Sequence, residues 1–384
     1  MCHCLVAAAV ETCRPGRFSI PSLYDGTLHR NLIMNEQRFS SRELTETASS
    51  LLQHAGMNDD QADVVAAVLV EADLMGHSTH GLNLLSPYLT ELREGRMNVR
   101  DSYETVVDTP STAVWDGRYI SGVYLTRQAI DAALAKSSSV PVVTYTIRRA
   151  HHIACLAAYM PRIVEAGRIG ILYASDPRAE MVAPFGGVTP VYSPNPIAAG
   201  IPGGSGGPII VDVSTSATAG GTVGRAKKRG VSLAGEWLLT AEGSVTDDPK
   251  ALDEEGSSIL PLGGLDTGYK GYALGLIVEA LTSGLAGFGR KDEPTNWGTS
   301  VFLQIIDPEG FSGLGELEAE MSHLTDACRS SKPRGNAPPV RIPGGQALAL
   351  KAEQLEHGVA LPQEIAAAME EACNHREIPF PRAL

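Results

Sequence analysis

Apolar positions recur at helical spacing soon after residue 36. Leu44, Ala48, Leu51, Leu52 and Ala55 share one helix face behind a capping box of Ser40 with Glu43, and Gly56 closes the run. Asn58 starts a second run through Val64, Val65, Val68, Leu69 and Ala72 to Leu74, closed by Gly76. A third helix is expected from Leu84 to Gly95, with Tyr88, Leu89 and Leu92 inward. After Met97 the pattern shortens. Thr105 to Val107 and Ala113 to Trp115 read as strands, Leu125 to Ala135 as a helix, and the β-branched run Val140 to Ile147 as a buried strand. Ala154 to Ala166 reads as a helix bent by Pro161, and Ile169 to Ala174 as a strand. Val191 to Ile201 and Pro208 to Val213 predict a hairpin with a flexible tip at Gly203 to Gly207. Strands flank that tip on both sides, whereas a phosphate cradle must open a helix. A helix from Tyr272 to Ala286, a strand from Val301 to Ile306 and a helix from Leu314 to Ser330 follow. A loop rich in proline and glycine spans Lys332 to Gly345, and the tail is helical over Ala347 to Leu355 and Pro362 to Cys373.

These elements predict an α/β chain of the α+β kind. Residues 34–104 plus 346–384 form a helical domain built from both ends, and residues 105–345 a central domain with a mixed or antiparallel sheet. Residues 1–33 show no sustained periodicity and read as an extension with little fixed structure.

Composition narrows the function classes. The 384 residues are 43% hydrophobic and 20% charged, ordinary for a soluble globular chain. A net charge of −13 argues against nucleic acid and anionic membranes as partners, since both need a basic face. No apolar run reaches the roughly 18 residues of a membrane span, and Glu11 interrupts the short run Leu5 to Val10, so no signal peptide is read. The six cysteines include no CxxC pair, and Cys2-His3-Cys4 is short of the ligands a closed metal site needs. Reduced thiols and a cytoplasmic location are expected.

Polar groups able to move protons cluster at His77, Ser78, Thr79 and His80, between two helical runs. A second pair is His151 and His152, with His152 expected to open a helix and stay neutral there. An imidazole near its ordinary pKa suits proton exchange with an alcohol or carbonyl. Helix C-capping is the plainer reading of the first pair, and metal binding lacks an HExxH spacing. Lys270 stands between glycines and tyrosines before an expected helix, a place for a phosphate or carboxylate, or a plain loop lysine. Asp212 ends a strand and suits sugar hydroxyls or a helix cap. Arg225, Lys227, Lys228 and Arg229 form a basic cluster, read as a solvated loop or a cofactor phosphate contact. No GxGxxG, Walker A or GxSxG motif occurs.

Seven segments in order resemble one family. They are GHSTHG at 76–81, HHIACLA at 151–157, SDPRAEMVAPFGG at 175–187, SPNPIA at 193–198, VDVSTS at 211–216, YKGYAL at 269–274 and IPGG at 342–345. Together they are similar to the type-2 malate/L-lactate dehydrogenase family, over about residues 36 to 380. The resemblance implies an NAD- or NADP-dependent oxidoreductase of 2-hydroxy acids, with a non-Rossmann cofactor fold, active as a homodimer or higher assembly. It implies His80 and His152 as catalytic residues and no metal. Cofactor contacts would fall on Ser175, Asp212, Val213, Ser214, Lys270, Gly271, Pro343, Gly344 and Gly345. Substrate contacts would fall on His80, Tyr88 and Asn195. The chain departs from the family at Leu84, where an Arg that can hold the substrate carboxylate is common, and at Ala154, where glycine is usual. Reduction of a cyclic imino acid, or cofactor binding without catalysis, are the alternatives.

Overall fold

A computed structural model describes residues 37–100 and 102–384. The extension expected at 1–33, with Cys2, His3 and Cys4, lies outside the described residues. The chain opens with β1 (Gln37–Phe39), α1 (Ser41–His54), α2 (Asp59–Leu74) and α3 (Leu85–Arg93). Both expected caps form: Ser40 Oγ accepts from Glu43 N at 3.4 Å and Asn58 Oδ1 from Gln61 N at 2.9 Å. Each cap contributes about 1 kcal/mol. Burying one leucine contributes roughly 1.5–3, so the fully buried Leu44, Leu51, Leu52 and Leu69 decide where the helices sit.

Next come β2 (Glu104–Asp108), β3 (Thr112–Asp116), α4 (Gly122–Ser137), β4 (Val142–Ala150), α5 (Met160–Glu165), β5 (Ile169–Ser175), β6 (Ile197–Ile201) and β7 (Ile209–Val213). They are followed by α6 (Gly220–Arg229), β8 (Leu238–Leu239), β9 (Val245–Thr246), β10 (Ser258–Ile259) and α7 (Gly264–Glu279). The chain closes with β11 (Thr299–Ile306), α8 (Leu314–Ser330), α9 (Gly345–His357), β12 (Val359–Leu361) and α10 (Gln363–Asn374).

A seven-stranded sheet runs in the order β2-β3-β4-β11-β5-β6-β7. Only β3 and β4 pair in parallel; its other pairs are antiparallel. β11 lies at the centre, and its sequence TSVFLQII is nearly all buried, as a strand covered on both faces requires. The first described strand, β1, pairs with β12 near the C-terminal helices, while α9 packs on α2 and α10 on α3. One hydrophobic core runs through these helices and the sheet, from Phe39 to Cys373. A second, smaller core of Val182, Tyr192, Val223, Leu233, Leu238 and Ile259 ties α6 to the three-stranded sheet β10-β8-β9.

Several expectations are corrected. The helix expected over Ala154 to Ala166 is a single 3-10 turn, Leu156–Tyr159, followed by the short α5. Pro161 stands in its first turn, where a missing N–H costs nothing, so it bends no helix. His152 therefore precedes the helical segment instead of opening it. The helix expected from Tyr272 begins at Gly264, which puts Lys270 inside α7. Residues 225–229 belong to α6 and not to a loop. The glycine tip of the β6–β7 hairpin is not flexible chain. α8 clasps it, Ser322 Oγ donating to Gly203 O at 3.1 Å and Arg329 Nη2 to Gly206 O at 2.8 Å.

Candidate active site

His80 ends a 3-10 turn, Ser78–His80, that links α2 to α3. Beneath the turn, Asp73 Oδ2 accepts from Leu82 N at 2.6 Å, and Oδ1 has no partner among the described residues. Burial pushes the Asp73 carboxyl up to about 7, against that one amide. A side chain at Gly81 would put its Cβ 2.4 Å from Asp73 Oδ2, so only glycine lets the turn close here.

His152 lies between β4 and the Leu156–Tyr159 turn, and its ring faces that of His80 with centroids 5.9 Å apart and planes within 19°. The two rings differ in what their Nδ1 atoms meet. His152 Nδ1 accepts the Ala154 amide at 3.2 Å and lies 2.8 Å from Tyr88 Oη. An amide N–H can only donate, so this nitrogen carries no proton, the Tyr88 hydroxyl donates to it, and the ring proton sits on Nε2. Burial, followed by the neighbouring His80 and His151, holds His152 well below the ordinary imidazole range. His80 Nδ1 lies 3.1 Å from Thr79 Oγ1, a hydroxyl able to donate or accept. Burial lowers the His80 pKa more than nearby Asp212 raises it.

A second layer fixes His152. Trp297 packs on His152 with ring centroids 4.7 Å apart and on His151 at 5.1 Å. His151 Nε2 is 3.3 Å from Glu91 Oε2, and Arg96 pairs with the same carboxylate at 2.6 Å. Burial pushes His151 down to about 4 despite Glu91, so it is a neutral wall of the site. Glu91 and Trp297 were missed in the sequence. Glu91 follows Tyr88 by three residues on the inward face of α3, and Trp297 stands between Asn296 and Gly298; these were the available signals.

The expected contacts separate into groups. Tyr88 is fully buried and reaches any substrate only through His152. Asn195 is fully buried too, its amide committed to Gly275 O at 3.2 Å and Glu279 Oε1 at 3.0 Å, so the structure gives it to the scaffold. Ser175 Oγ is held by Thr282 and Ser283 at 2.8 and 3.1 Å. Asp212 Oδ2 accepts the Ala157 amide at 2.8 Å, and burial raises its pKa against the pull of that amide and of His77 and His80. Val213 is exposed, and Ser214 Oγ donates to Ser216 O at 3.0 Å. Lys270 is exposed on α7, whereas Gly271 packs against Leu262, where a Cβ would stand 2.4 Å from the backbone nitrogen. Pro343 O accepts from Ile210 N at 3.2 Å, Gly344 is pressed on Ile210, and Gly345 faces open space. His77 O accepts the His80 amide at 2.9 Å, which helps to close the turn.

The two histidines face each other, one fixed as a donor and one beside a hydroxyl, an arrangement suited to proton exchange. The chain belongs to the malate/L-lactate dehydrogenase family, whose sequence profile matches residues 39–370. It is 31% identical over 301 residues to an L-sulfolactate dehydrogenase of Methanothermobacter thermautotrophicus, covering 77% of this chain and 86% of that protein. It is 31% identical over 334 residues to a (2R)-3-sulfolactate dehydrogenase (NADP(+)) of Chromohalobacter salexigens, covering 85% and 95%. The crystal structure of malate dehydrogenase from Entamoeba histolytica shares the fold, with a TM-score of 0.85 at 23% identity over 91% of this chain and 100% of that one. The chain is therefore a dehydrogenase that uses NAD or NADP.

Proposed function

We propose that this enzyme moves a hydride between a nicotinamide and C2 of a small 2-hydroxy acid, interconverting it with the 2-keto acid. The observation that carries the reading is the facing of His80 and His152, with the His152 tautomer fixed by the Ala154 amide and a hydroxyl beside His80 Nδ1.

The donor set suits a dinucleotide. α9 starts at Gly345, where an added Cβ would meet nothing within 4 Å, so there is room for a ligand beside the first turn, although the Gly345 amide itself is held by Ile342 O at 3.1 Å. Ser214 at the end of β7 and the exposed Lys270 add a hydroxyl and a charge. These residues would hold the cofactor, outside any Rossmann arrangement, since the sheet has one parallel pair. When bound, the cofactor takes or supplies the hydride. In oxidation His80 Nε2 accepts the hydroxyl proton as the carbonyl forms, and in reduction it returns that proton. His152 donates through Nε2–H to the same oxygen and keeps its tautomer, because protonating Nδ1 would set two N–H groups against each other.

His80→Ala and His152→Ala should each lower turnover by about 10²–10⁴ while NADH fluorescence enhancement survives. His152→Gln, which keeps a donor, should retain more activity than His152→Ala. Oxidation needs neutral His80, so its kcat/KM should hold above pH 6.5 and fall below it as the ring takes up a proton; reduction should show the opposite trend. A panel of 2-keto acids and cyclic imines with NADH and NADPH tests the substrate class. Consumption of cofactor by cyclic imines alone, or undiminished turnover in both alanine variants, refutes the reading.

Three coarser features complete the proposal. The two-part division, 34–104 plus 346–384 around 105–345, is proposed on the helices that precede and follow the strands of the large sheet, although one core joins both parts. Cys155, Cys328 and Cys373 are free, which suits a reducing cytoplasm. α7 turns Leu265, Tyr269, Leu276 and Ile277 outward, an apolar face that suits a second copy of the chain in a homodimer.

A further inference from the structure

Leu84 is buried in the main core, so no anchor for a substrate anion comes from that position. α6 brings a cation to the site from another side. An added Cβ at Gly221 would stand 3.7 Å from Thr79 Cβ and 4.0 Å from His80 Cε1, so the first turn of this helix lies directly over the catalytic turn. Arg225 follows Gly221 by four residues, on the same helix face. Its Nη1 donates to Ser78 Oγ at 3.4 Å, a long bond to a neutral group. The remaining charges of the basic cluster are turned elsewhere. Lys227 pairs with Asp253, Arg229 pairs with Glu364 at 3.6 Å, and Lys228 lines a groove beside Glu364 and Met369. Arg225 is half-buried, and among the described residues the carboxylate that acts on it is Glu364, which also pairs with Arg229. A half-buried guanidinium with five donors and one long neutral contact is short of an anion.

We propose that Arg225 holds the substrate carboxylate, beside Ser78 and His80, and so sets the preference for acids. The inference rests on the dehydrogenase reading above and adds the residue that selects the acid. Seated there, the carboxylate meets a planar fork of N–H donors, and the neighbouring C2 oxygen falls to the two imidazoles.

The test is a ratio within each protein. kcat/KM is measured for a substrate carrying a free carboxylate and for its primary carboxamide, in wild type, Arg225→Met, Arg225→Lys and Arg178→Met. Arg178 is the comparison because its charge reaches His151 from another loop. Any substrate the wild type turns over serves, keto acid or cyclic imine, since both carry a carboxylate beside the reacting carbon. The substrate reading is thus judged on wild type alone and the Arg225 assignment on the ratio. Wild type and Arg178→Met should prefer the acid by about a hundredfold. Arg225→Met should lose that preference through KM, keep NADH binding, and recover part of it when guanidinium is added. Arg225→Lys should fall between, because it keeps the charge and loses the fork. A preference unchanged in Arg225→Met, or abolished in Arg178→Met instead, overturns the assignment.

Discussion

Ala154 has φ +57°, a left-handed conformation that costs a non-glycine residue roughly 1–2 kcal/mol. That turn of the chain aims its amide back at His152 Nδ1 and thereby fixes the tautomer of the ring proposed to act in catalysis. The two histidines were legible as residue types in a suggestive setting. Their roles were not, because a tautomer depends on a backbone angle two residues on and on Tyr88 from a distant helix. Asp73 offers a separate check at this scale. The unfolded carboxyl ionises near 3.8, whereas the folded one keeps its proton to about 7. Across that window the folded state binds the extra proton, so stability falls as pH rises through it. Compared with Asp73→Asn, the wild type should lose about 3 kcal/mol between pH 5 and pH 8, read from denaturant titrations. Parallel profiles for the two proteins would show that Asp73 is not the titrating group.

α7 inverts the usual amphipathic order. Gly268, Gly271 and Gly275 face inward, where added Cβ atoms would stand 3.1, 2.4 and 2.9 Å from Phe185, Leu262 and Tyr192, while large apolar side chains face out. A reading by propensity counts those glycines against a helix, and so placed its start eight residues late and left Lys270 in a loop. The first three helices, α1 to α3, whose apolar faces point inward, were readable to within about three residues. β1 and β12 were unreadable, since three-residue strands take their identity from a partner at the other chain end. Glycine contacts also yield a prediction for α4. A Cβ at Gly122 would stand 1.9 Å from His151 O and 2.7 Å from Ile153 Cγ2. Gly122→Ala should therefore cost about 1–3 kcal/mol and displace the catalytic stretch, lowering turnover. Gly224→Ala in α6, with open space around it, should instead gain up to about 1 kcal/mol. Equal melting temperatures for the two variants would contradict this account.

Among the described residues, β1 pairs with β12, and α9 and α10 brace α2 and α3, the helices joined by the turn that carries His80. The ordered motifs made the family legible; most of them sit at strand ends and turns, and YKGYAL lies within α7. The outward face of α7 was hidden, since helix phase decides which side its leucines take. If that face seats a second copy, Leu276→Glu with Ile277→Glu should yield monomers in sedimentation velocity while the wild type sediments as a dimer. Dimers in both would exclude α7 from the contact.

The small core under α6 is separate from the main one. A segment with its own core can swing away without unravelling, at a free energy well below global unfolding. Its amides should accordingly exchange hydrogen before those of β11. With Arg225 riding on this segment, a substrate anion is also the clasp that draws it shut. The apparent dissociation constant for an acid would then be the intrinsic one of the guanidinium divided by the fraction of molecules already closed. Substitutions in the small core, remote from any reacting atom, would shift apparent affinity for every acid by one common factor.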